Sequence, residues 1–211
     1  MPTEVAVSTQ DVELVELDVC QLNSVASLLF QTYQNDALMQ RIFQADKADY
    51  EKRLRAAIRE ELIAQWDNGQ PIIAAMHDEA LLGVVCLSKV EHQFGPTSRW
   101  NWYISMLLTA GWVSTRYVLD KERQIKSLLK DQPCYLISFI GVAEQYQHQG
   151  IGQLLCQAAL QESVERGGVK QLAVFTSDQQ QQTFFNRCGF TQQHAVDVHD
   201  VPGALLTLNV D

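Results

Sequence analysis

The sequence has no uninterrupted apolar run near the roughly 20 residues that a membrane-spanning helix needs. Its first residues, MPTEVAVSTQDVELVELD, have neither a basic start nor a long apolar stretch, so no signal peptide or anchor is predicted. The five cysteines are odd in number and form no C-x-x-C pair, which argues against a disulfide framework or a zinc site. We therefore expect a cytoplasmic protein with reduced thiols, no bound metal and no membrane contact.

Basic residues are also few, because 16 Lys and Arg stand against 25 Asp and Glu and give a net charge of -9. A protein of this sign repels phosphate backbones, so nucleic acid is not predicted as a partner. An acidic surface suits a cationic substrate such as an amine. The 211 residues are 46% hydrophobic and 19% charged, which predicts one globular domain over residues 1–211 with a sizeable core.

Hydrophobic periodicity predicts a mixed α/β order without internal repeats. The predicted strands are 12–16, 71–77, 80–90, 134–142 and 170–176, with one or two more within 190–210. The predicted helices are 18–33, 46–66, 118–130, 150–166 and 180–188. A segment at about 92–132 looks like an addition to this order, irregular at first and helical only towards its end.

Two glycines stand where a long helix begins, in the stretch EQYQHQGIGQLLCQAAL. Glycine in a helix costs about 1 kcal/mol relative to alanine, so Gly150 and Gly152 indicate a tight turn or a close approach to the backbone. The N–H groups at a helix N-terminus attract phosphate. A Walker loop is excluded because no lysine lies between Lys130 and Lys170, and the dinucleotide fingerprint because its third glycine is Leu155.

The remaining pattern, Gln147-x-x-Gly150-x-Gly152, resembles a known loop. VAEQYQHQGIGQLL is similar to the acyl-CoA pyrophosphate loop of the GNAT superfamily of N-acetyltransferases, which reads Gln/Arg-x-x-Gly-x-Gly/Ala after a strand ending in valine. FFNRCGF resembles the later helix and Gly-Phe of that family, and ISFIGV fits its fourth strand. The resemblance implies an α/β (α+β) fold. Its mixed, mostly antiparallel sheet has six or seven strands flanked by helices, with a V-shaped splay between the fourth and fifth strands.

The resemblance also implies acetyl-CoA as co-substrate. Backbone N–H groups from Gln147 to Gly152 would hold its pyrophosphate, and residues 140–142 would pair with the pantetheine arm like an added strand. A backbone N–H near Val142 would face the thioester oxygen. The implied acetyl-CoA site comprises Ile140, Gly141, Val142, Gln147, His148, Gln149, Gly150, Ile151, Gly152, Gln153 and Phe185.

The activity implied by the resemblance is transfer of an acetyl group to a primary amine of a small molecule or peptide by direct attack. The amine must first lose a proton, because its pKa lies near 10. The sequence departs from the family at both usual helpers. Phe185 stands where many members have a tyrosine acid, and the fourth strand has no carboxylate, with Leu136 near the usual position. Ser138 and Tyr146, acting through water, are the predicted substitutes.

Residues near the end of the third strand are predicted to contact the acceptor. Glu91 and His92 would lie at the mouth of the substrate site, and the aromatic segment with Trp100 and Trp102 would shape it. These rings would otherwise cover the core or form a homodimer contact. Asp178, where the family often has asparagine, is predicted to cap the following helix.

Two other classes of function remain open at this stage. The missing tyrosine and carboxylate fit a catalytically silent acyl-CoA-binding domain that acts as a sensor or scaffold. A nucleotide-binding protein could use the same glycine turn, although the Walker lysine and the third glycine are absent. Turnover with an amine would distinguish the first alternative, and competition between ATP and CoA the second.

Overall fold

The computed structural model describes residues 8–90, 96–129 and 132–210. Its strands are β1 Glu13–Glu16, β2 Ile72–His77, β3 Ala80–Lys89, β4 Cys134–Val142, β5 Gln171–Thr176, β6 Thr191–Val198 and β7 Val201–Asn209. Its α-helices are α1 Leu22–Tyr33, α2 Ala37–Phe43, α3 Tyr50–Asp67, α4 Pro96–Thr109, α5 Gly111–Leu129, α6 Ile151–Arg166 and α7 Gln179–Arg187. Short 3-10 turns lie at Thr9–Asp11, Val19–Gln21 and Glu144–Tyr146.

The strands form one seven-stranded sheet in the order β1-β2-β3-β4-β5-β7-β6. Every neighbouring pair is antiparallel except β4 and β5, which are parallel. The pairing of β4 with β5 ends at Ile137 and Val174, although β4 continues to Val142 and β5 to Thr176. The two strands therefore separate, and the predicted fold with its V-shaped splay is confirmed.

Two hydrophobic clusters cover the two faces of the sheet. Helices α1 to α5 pack on one face, and α6 and α7 pack on the other. The four-residue spacing of Leu54, Ile58 and Leu62 predicted the helix α3, and all three side chains are at most 1% exposed. Because successive residues of a strand face opposite sides, Cys134 belongs to the first cluster and Tyr135 to the second.

Helix α2 was not predicted, and the segment after β3 is more helical than predicted. Asp36 caps α2 by accepting a hydrogen bond from the Met39 N–H at 2.9 Å. Helix α5 begins at Gly111 rather than near 118, and α4 precedes it. The buried face of α5 includes Ser114 and Thr115, so a search for apolar periodicity underestimates this helix.

No helix in the described part of the chain is both long and apolar enough to cross a membrane.

Candidate active site

The separation of β4 from β5 creates a slot between the two strands. Its lining includes Ile137, Ser138 and Ile140 of β4, Val174 to Ser177, Tyr33 at the end of α1, Asp36 at the start of α2, and Phe185 of α7. Among the described residues, no strand pairs with β4 on this side beyond Ile137. An extended ligand is able to pair with such an edge through backbone hydrogen bonds.

The hydroxyl of Tyr33 uses part of that free edge. It donates to the Ile140 carbonyl oxygen and accepts from the Ile140 N–H, both at 3.1 Å. The Tyr33 ring meets Phe139 edge-on, with centroids 5.5 Å apart. Burial raises the pKa of Tyr33 well above its ordinary value, so the phenol stays protonated and remains a donor at neutral pH. In this structure Tyr33 therefore satisfies a backbone that the resemblance assigns to pantetheine.

Ser138 lies at an irregularity of β4, immediately where the slot begins. In the pairing with β3, Cys86 faces Phe139 and the next residue Leu87 faces Ile137, so Ser138 is an extra residue. Such a bulge redirects side chains and is frequent beside active sites. Ser138 thereby turns towards α3, on the same face as the neighbouring Phe139.

A chain of hydrogen bonds joins Ser138 to a carboxylate that sequence reasoning missed. Gln65 Nε2 donates to Ser138 Oγ at 2.8 Å and to Glu61 Oε1 at 3.2 Å. Ser138 Oγ donates in turn to the Cys86 carbonyl oxygen at 3.1 Å. Glu61 follows Ala57 and Ile58 by four and three residues on α3, so it lies on the buried helix face. A carboxylate on that face was the available signal.

Glu61 is the carboxyl group in the site whose titration is most clearly perturbed. Burial raises its pKa to about 7, and the Glu122 carboxylate adds to the shift. The hydrogen bond from Gln65 and the charges of Lys121 and Lys126 act in the opposite direction. A carboxyl group that titrates near neutral pH is suited to accept and release protons in catalysis.

Glu61 and Ser138 both line a cavity of about 130 Å³ between the sheet and helices α2 to α5. The walls are largely apolar, with Met39, Ile58 and Ile125 among them, and α4 contributes Trp102. The cavity and the slot share five lining residues. These are Met39, Lys121, Ile137, Ser138 and Phe175. The slot and the cavity therefore adjoin at Ser138.

The glycine loop lies between β4 and α6, and its residues have separate tasks. Gly150 has φ +87°, a left-handed conformation that glycine adopts without strain, and His148 also has a positive φ of 61°. A Cβ at Gly152 would lie 3.2 Å from the Phe184 ring, so this glycine lets α6 pack closely on α7. Gln147 Nε2 donates to the Val142 carbonyl oxygen at 3.1 Å and ties the loop to the end of β4.

No side chain in the described ranges caps the N-terminus of α6. By contrast, Asp36 caps α2 and Asp178 caps α7, the latter by accepting from the N–H groups of Gln180 and Gln181. The predicted cap at Asp178 is thereby confirmed. The first N–H groups of a helix lack intrahelical partners, so those of α6 suit an anionic ligand such as a pyrophosphate.

Not all of the predicted catalytic and acceptor residues lie at the slot or the cavity. Trp102 is 8% exposed and lines the cavity, whereas Trp100 is 62% exposed and stacks on Tyr103. Tyr146 packs against the cluster beneath α6 and lines neither the slot nor the cavity. Its catalytic role, like that of Ser138, stays a prediction. Glu91 and His92 lie outside the described residues.

Phe185 is 2% exposed and lines the slot at the position of the usual tyrosine. Its ring meets those of Phe184 and Phe190 edge-on, with centroids 5.1 and 5.4 Å away. The side chain is thus part of an aromatic cluster and has no proton to donate. In the described part of the chain, no group of three or more His, Cys, Asp or Glu side chains is arranged to hold a metal ion.

This architecture, a sheet that splits between parallel strands β4 and β5 above a glycine loop, defines an acetyltransferase fold. The sequence profile of the acetyltransferase (GNAT) family matches residues 38–190, more than two thirds of the chain. The chain therefore belongs to the GNAT family, as the loop predicted. No curated protein matches the sequence significantly.

Solved structures share this fold at low sequence identity. Arylalkylamine N-acetyltransferase 2 from Aedes aegypti superposes with a TM-score of 0.69 at 12% identity, over 95% of this chain and 100% of that chain. An agmatine N-acetyltransferase variant gives 0.65 at 14%, over 94% and 100%. A histone acetyltransferase HPA2 and related acetyltransferase from Corynebacterium glutamicum gives 0.64 at 14%, over 93% and 95%. Likeness at this level of identity shows the fold alone.

Proposed function

We propose that the protein is an N-acetyltransferase that moves an acetyl group from acetyl-CoA to a primary amine of a small molecule or peptide. The observation that carries the proposal is that the slot and the cavity lie against each other and share Ser138 as a lining residue. A thioester in the slot would meet an amine in the cavity at that point. Holding two reactants together in this way can lower a barrier by roughly 7–11 kcal/mol.

Different elements of the fold would bind different parts of acetyl-CoA. The uncapped N-terminus of α6, from Gly150 to Gln153, would hold the pyrophosphate. The edge of β4 from Ile140 to Val142 would pair with the pantetheine arm once Tyr33 releases Ile140. Acetyl-CoA supplies the activated acyl group, and the chain supplies position, desolvation and a proton acceptor.

The loss of the usual tyrosine at Phe185 is compatible with this reaction. A thiol has a pKa near 8.5, so a thiolate is able to leave without complete protonation in mildly alkaline solution. The absence of a general acid typically costs about 100-fold or more in rate, which leaves room for catalysis by proximity. The cytoplasm is the proposed compartment, because all five cysteines are free thiols.

Binding of acetyl-CoA to the loop is tested best with an added charge that does not disturb folding. Gln153 and Gln157 are both exposed glutamines of α6, the former in its first turn and the latter one turn further on. Gln153→Glu places a negative charge beside the proposed pyrophosphate, and Gln157→Glu is the matched control. Glutamate near a helix N-terminus stabilises the helix, so weaker binding would not reflect unfolding.

Calorimetric titration with acetyl-CoA should give micromolar binding to the wild type and to Gln157→Glu. Repulsion on the order of 1 kcal/mol predicts at least about fivefold weaker binding to Gln153→Glu. No binding at millimolar acetyl-CoA would overturn the proposal.

Turnover separates a transferase from a silent acyl-CoA-binding domain. A panel of primary amines should yield acetylated products, which mass spectrometry detects without interference from the exposed thiol of Cys20. Binding of acetyl-CoA without turnover on any amine would favour the silent domain, in which Phe185 serves packing alone.

A further inference from the structure

Two residues that line the cavity beside Ser138 carry buried polar atoms without partners among the described residues. These atoms are Trp102 Nε1 and Ser88 Oγ. Trp102 is 8% exposed, so its N–H is shielded from bulk water. Buried donors are nearly always satisfied in folded proteins, and exceptions call for a ligand or an ordered water. The two unsatisfied groups therefore suit a bound molecule or an ordered water at the wall of the cavity.

The dimensions of the cavity limit the molecule that fits. Its volume is about 130 Å³, and its walls are formed mainly by aliphatic and aromatic side chains. An apolar cavity of about 150 Å³ accommodates a benzene ring. A body of about six carbons, as a ring or a short chain, is the largest that this space takes without movement of the walls.

The charges around the cavity limit the molecule further. Glu61 and Glu122 are its carboxylates, and Lys121 and Lys126 are its ammonium groups, whereas the Lys89 ammonium lies beside Gly168. Lys126 Nζ lies 3.6 Å from a Glu122 oxygen, so these two charges largely cancel. Glu61 then faces one further lysine, Lys121. One ammonium group of a ligand is attracted to Glu61, but a second would meet lysine in a region of low dielectric constant.

We infer that the cavity takes a primary monoamine with an apolar body of about six carbons, and that Glu61 accepts the proton that the ammonium group must lose. The inference rests on the proposed function, because it names the acceptor class of that same site. Ser138, fixed by Gln65 and by the Cys86 carbonyl, marks the point where the amine nitrogen meets the thioester.

The proposed transfer consumes one ammonium ion and one thioester and yields an amide, a thiol and one proton. The ammonium group gives one proton to the Glu61 carboxylate and becomes a neutral amine. Its nitrogen lone pair forms a bond to the acetyl carbonyl carbon, and the carbon–sulfur bond breaks with its electron pair on sulfur. The nitrogen then loses a second proton, which the CoA thiolate takes up, and Glu61 releases its proton to solvent.

The surroundings of Glu61 match this exchange of protons. Its pKa is raised to about 7 mainly by burial, with Glu122 adding to the shift. The groups that face it are Glu122, Lys121 and Lys126 of α5, Gln65 of its own helix, and the thiol of Cys86 on β3. The apolar walls and the lysines also disfavour the charged form of a bound amine. They therefore lower the pKa of the amine towards that of Glu61.

The acceptor class is tested with a matched pair of probes, hexylamine and 1,6-diaminohexane. The two have the same carbon chain and differ by the second amino group. With acetyl-CoA and the wild-type protein, kcat/KM for hexylamine should exceed that for the diamine at least tenfold. Hexylamine alone should raise Tm, and the diamine at the same concentration should raise it much less.

The role of Glu61 is tested with two glutamine variants of the same cavity. Glu61→Gln keeps an oxygen that accepts from Gln65 but cannot take a proton, so kcat should fall about 100-fold or more. The rise of kcat/KM with a midpoint near pH 7 in the wild type should vanish. Glu122→Gln should move that midpoint to lower pH, because a charge that raises the pKa of Glu61 is gone.

The outcomes distinguish this inference from the proposed function. Acetyl transfer that survives Glu61→Gln with an unchanged pH profile, or that treats the diamine like hexylamine, would overturn the inference and leave the transferase standing. Hexylamine binding with no transfer to any amine would overturn the transferase and, with it, the role of Glu61. Preferential acetylation of hexylamine by the wild type, with the activity lost in Glu61→Gln, would support both the inference and the proposed function.

Discussion

Replacement of Tyr33 by phenylalanine tests how the slot is held when acetyl-CoA is absent. The Tyr33 hydroxyl makes two hydrogen bonds of 3.1 Å to the backbone of Ile140. Each such bond contributes about 1 kcal/mol net, and an N–H left unsatisfied costs about 1–3 kcal/mol. Tyr33→Phe should therefore lower the free energy of unfolding by about 2 kcal/mol, or Tm by roughly 4–8 °C.

The same change should strengthen the response to the co-substrate. If the pantetheine arm pairs with Ile140, it competes with the Tyr33 hydroxyl in the wild type and meets no competitor in the variant. A thermal-shift assay with saturating CoA should thus show a larger increase in Tm for Tyr33→Phe than for the wild type. Calorimetry should give tighter CoA binding to the variant.

Two results would refute this reasoning. An unchanged Tm for Tyr33→Phe without ligand would mean that the hydroxyl contributes nothing to the slot. Equal or weaker CoA binding by the variant would mean that the arm does not use the Ile140 backbone. Gln153→Glu should weaken CoA binding in both backgrounds and serves as the positive control for the assay.

Two further predictions concern stability. Asp178→Ala should lower the free energy of unfolding by about 1 kcal/mol and Asp178→Asn by much less, since asparagine still caps α7; equal melting temperatures would contradict the cap. Glu61 holds a proton in the folded protein up to about pH 7, whereas in the unfolded chain it ionises near 4.5. Wild-type stability should therefore fall between these pH values by up to about 3 kcal/mol relative to Glu61→Gln. If urea unfolding gave the same stability difference between the wild type and Glu61→Gln at pH 5 and at pH 8, this prediction would be wrong.

The elements that position the site follow closely from local patterns. The apolar run CYLISFIGV predicted a strand at 134–142, and β4 is Cys134–Val142. The amphipathic segment predicted at 150–166 is the helix Ile151–Arg166. Both depend on interactions between residues near in sequence, through periodicity and glycine conformation, so the sequence reveals them directly.

The two helices after β3 were harder to predict for a physical reason. Trp102, Met106 and Ala110 recur every four residues and are at most 8% exposed, but exposed Trp100 and Trp112 obscure the pattern. Ser114 and Thr115 are buried in α5 although they are polar. Their burial depends on contacts with other helices, which a local pattern does not contain.

The glycine loop shows a motif whose residues serve more than one purpose. The sequence indicated that Gly150 and Gly152 serve a turn or a ligand. The structure shows the turn at Gly150, while the missing Cβ of Gly152 accommodates Phe184 of a distant helix. A contact across more than thirty residues of chain has no signature in the loop itself.

The sequence by itself determined the family of this protein, the order of most helices and strands along the chain and the position of the glycine loop, because glycine spacing and apolar periodicity are local properties of the chain. Only the tertiary structure decided which side chains meet in the candidate active site. It links Glu61 of α3 to Ser138 of β4 through hydrogen bonds of Gln65. Gln65 and Ser138 are 73 positions apart in the sequence. The tertiary structure also raises the pKa of Glu61 by burial, and burial arises only when helices close over the sheet.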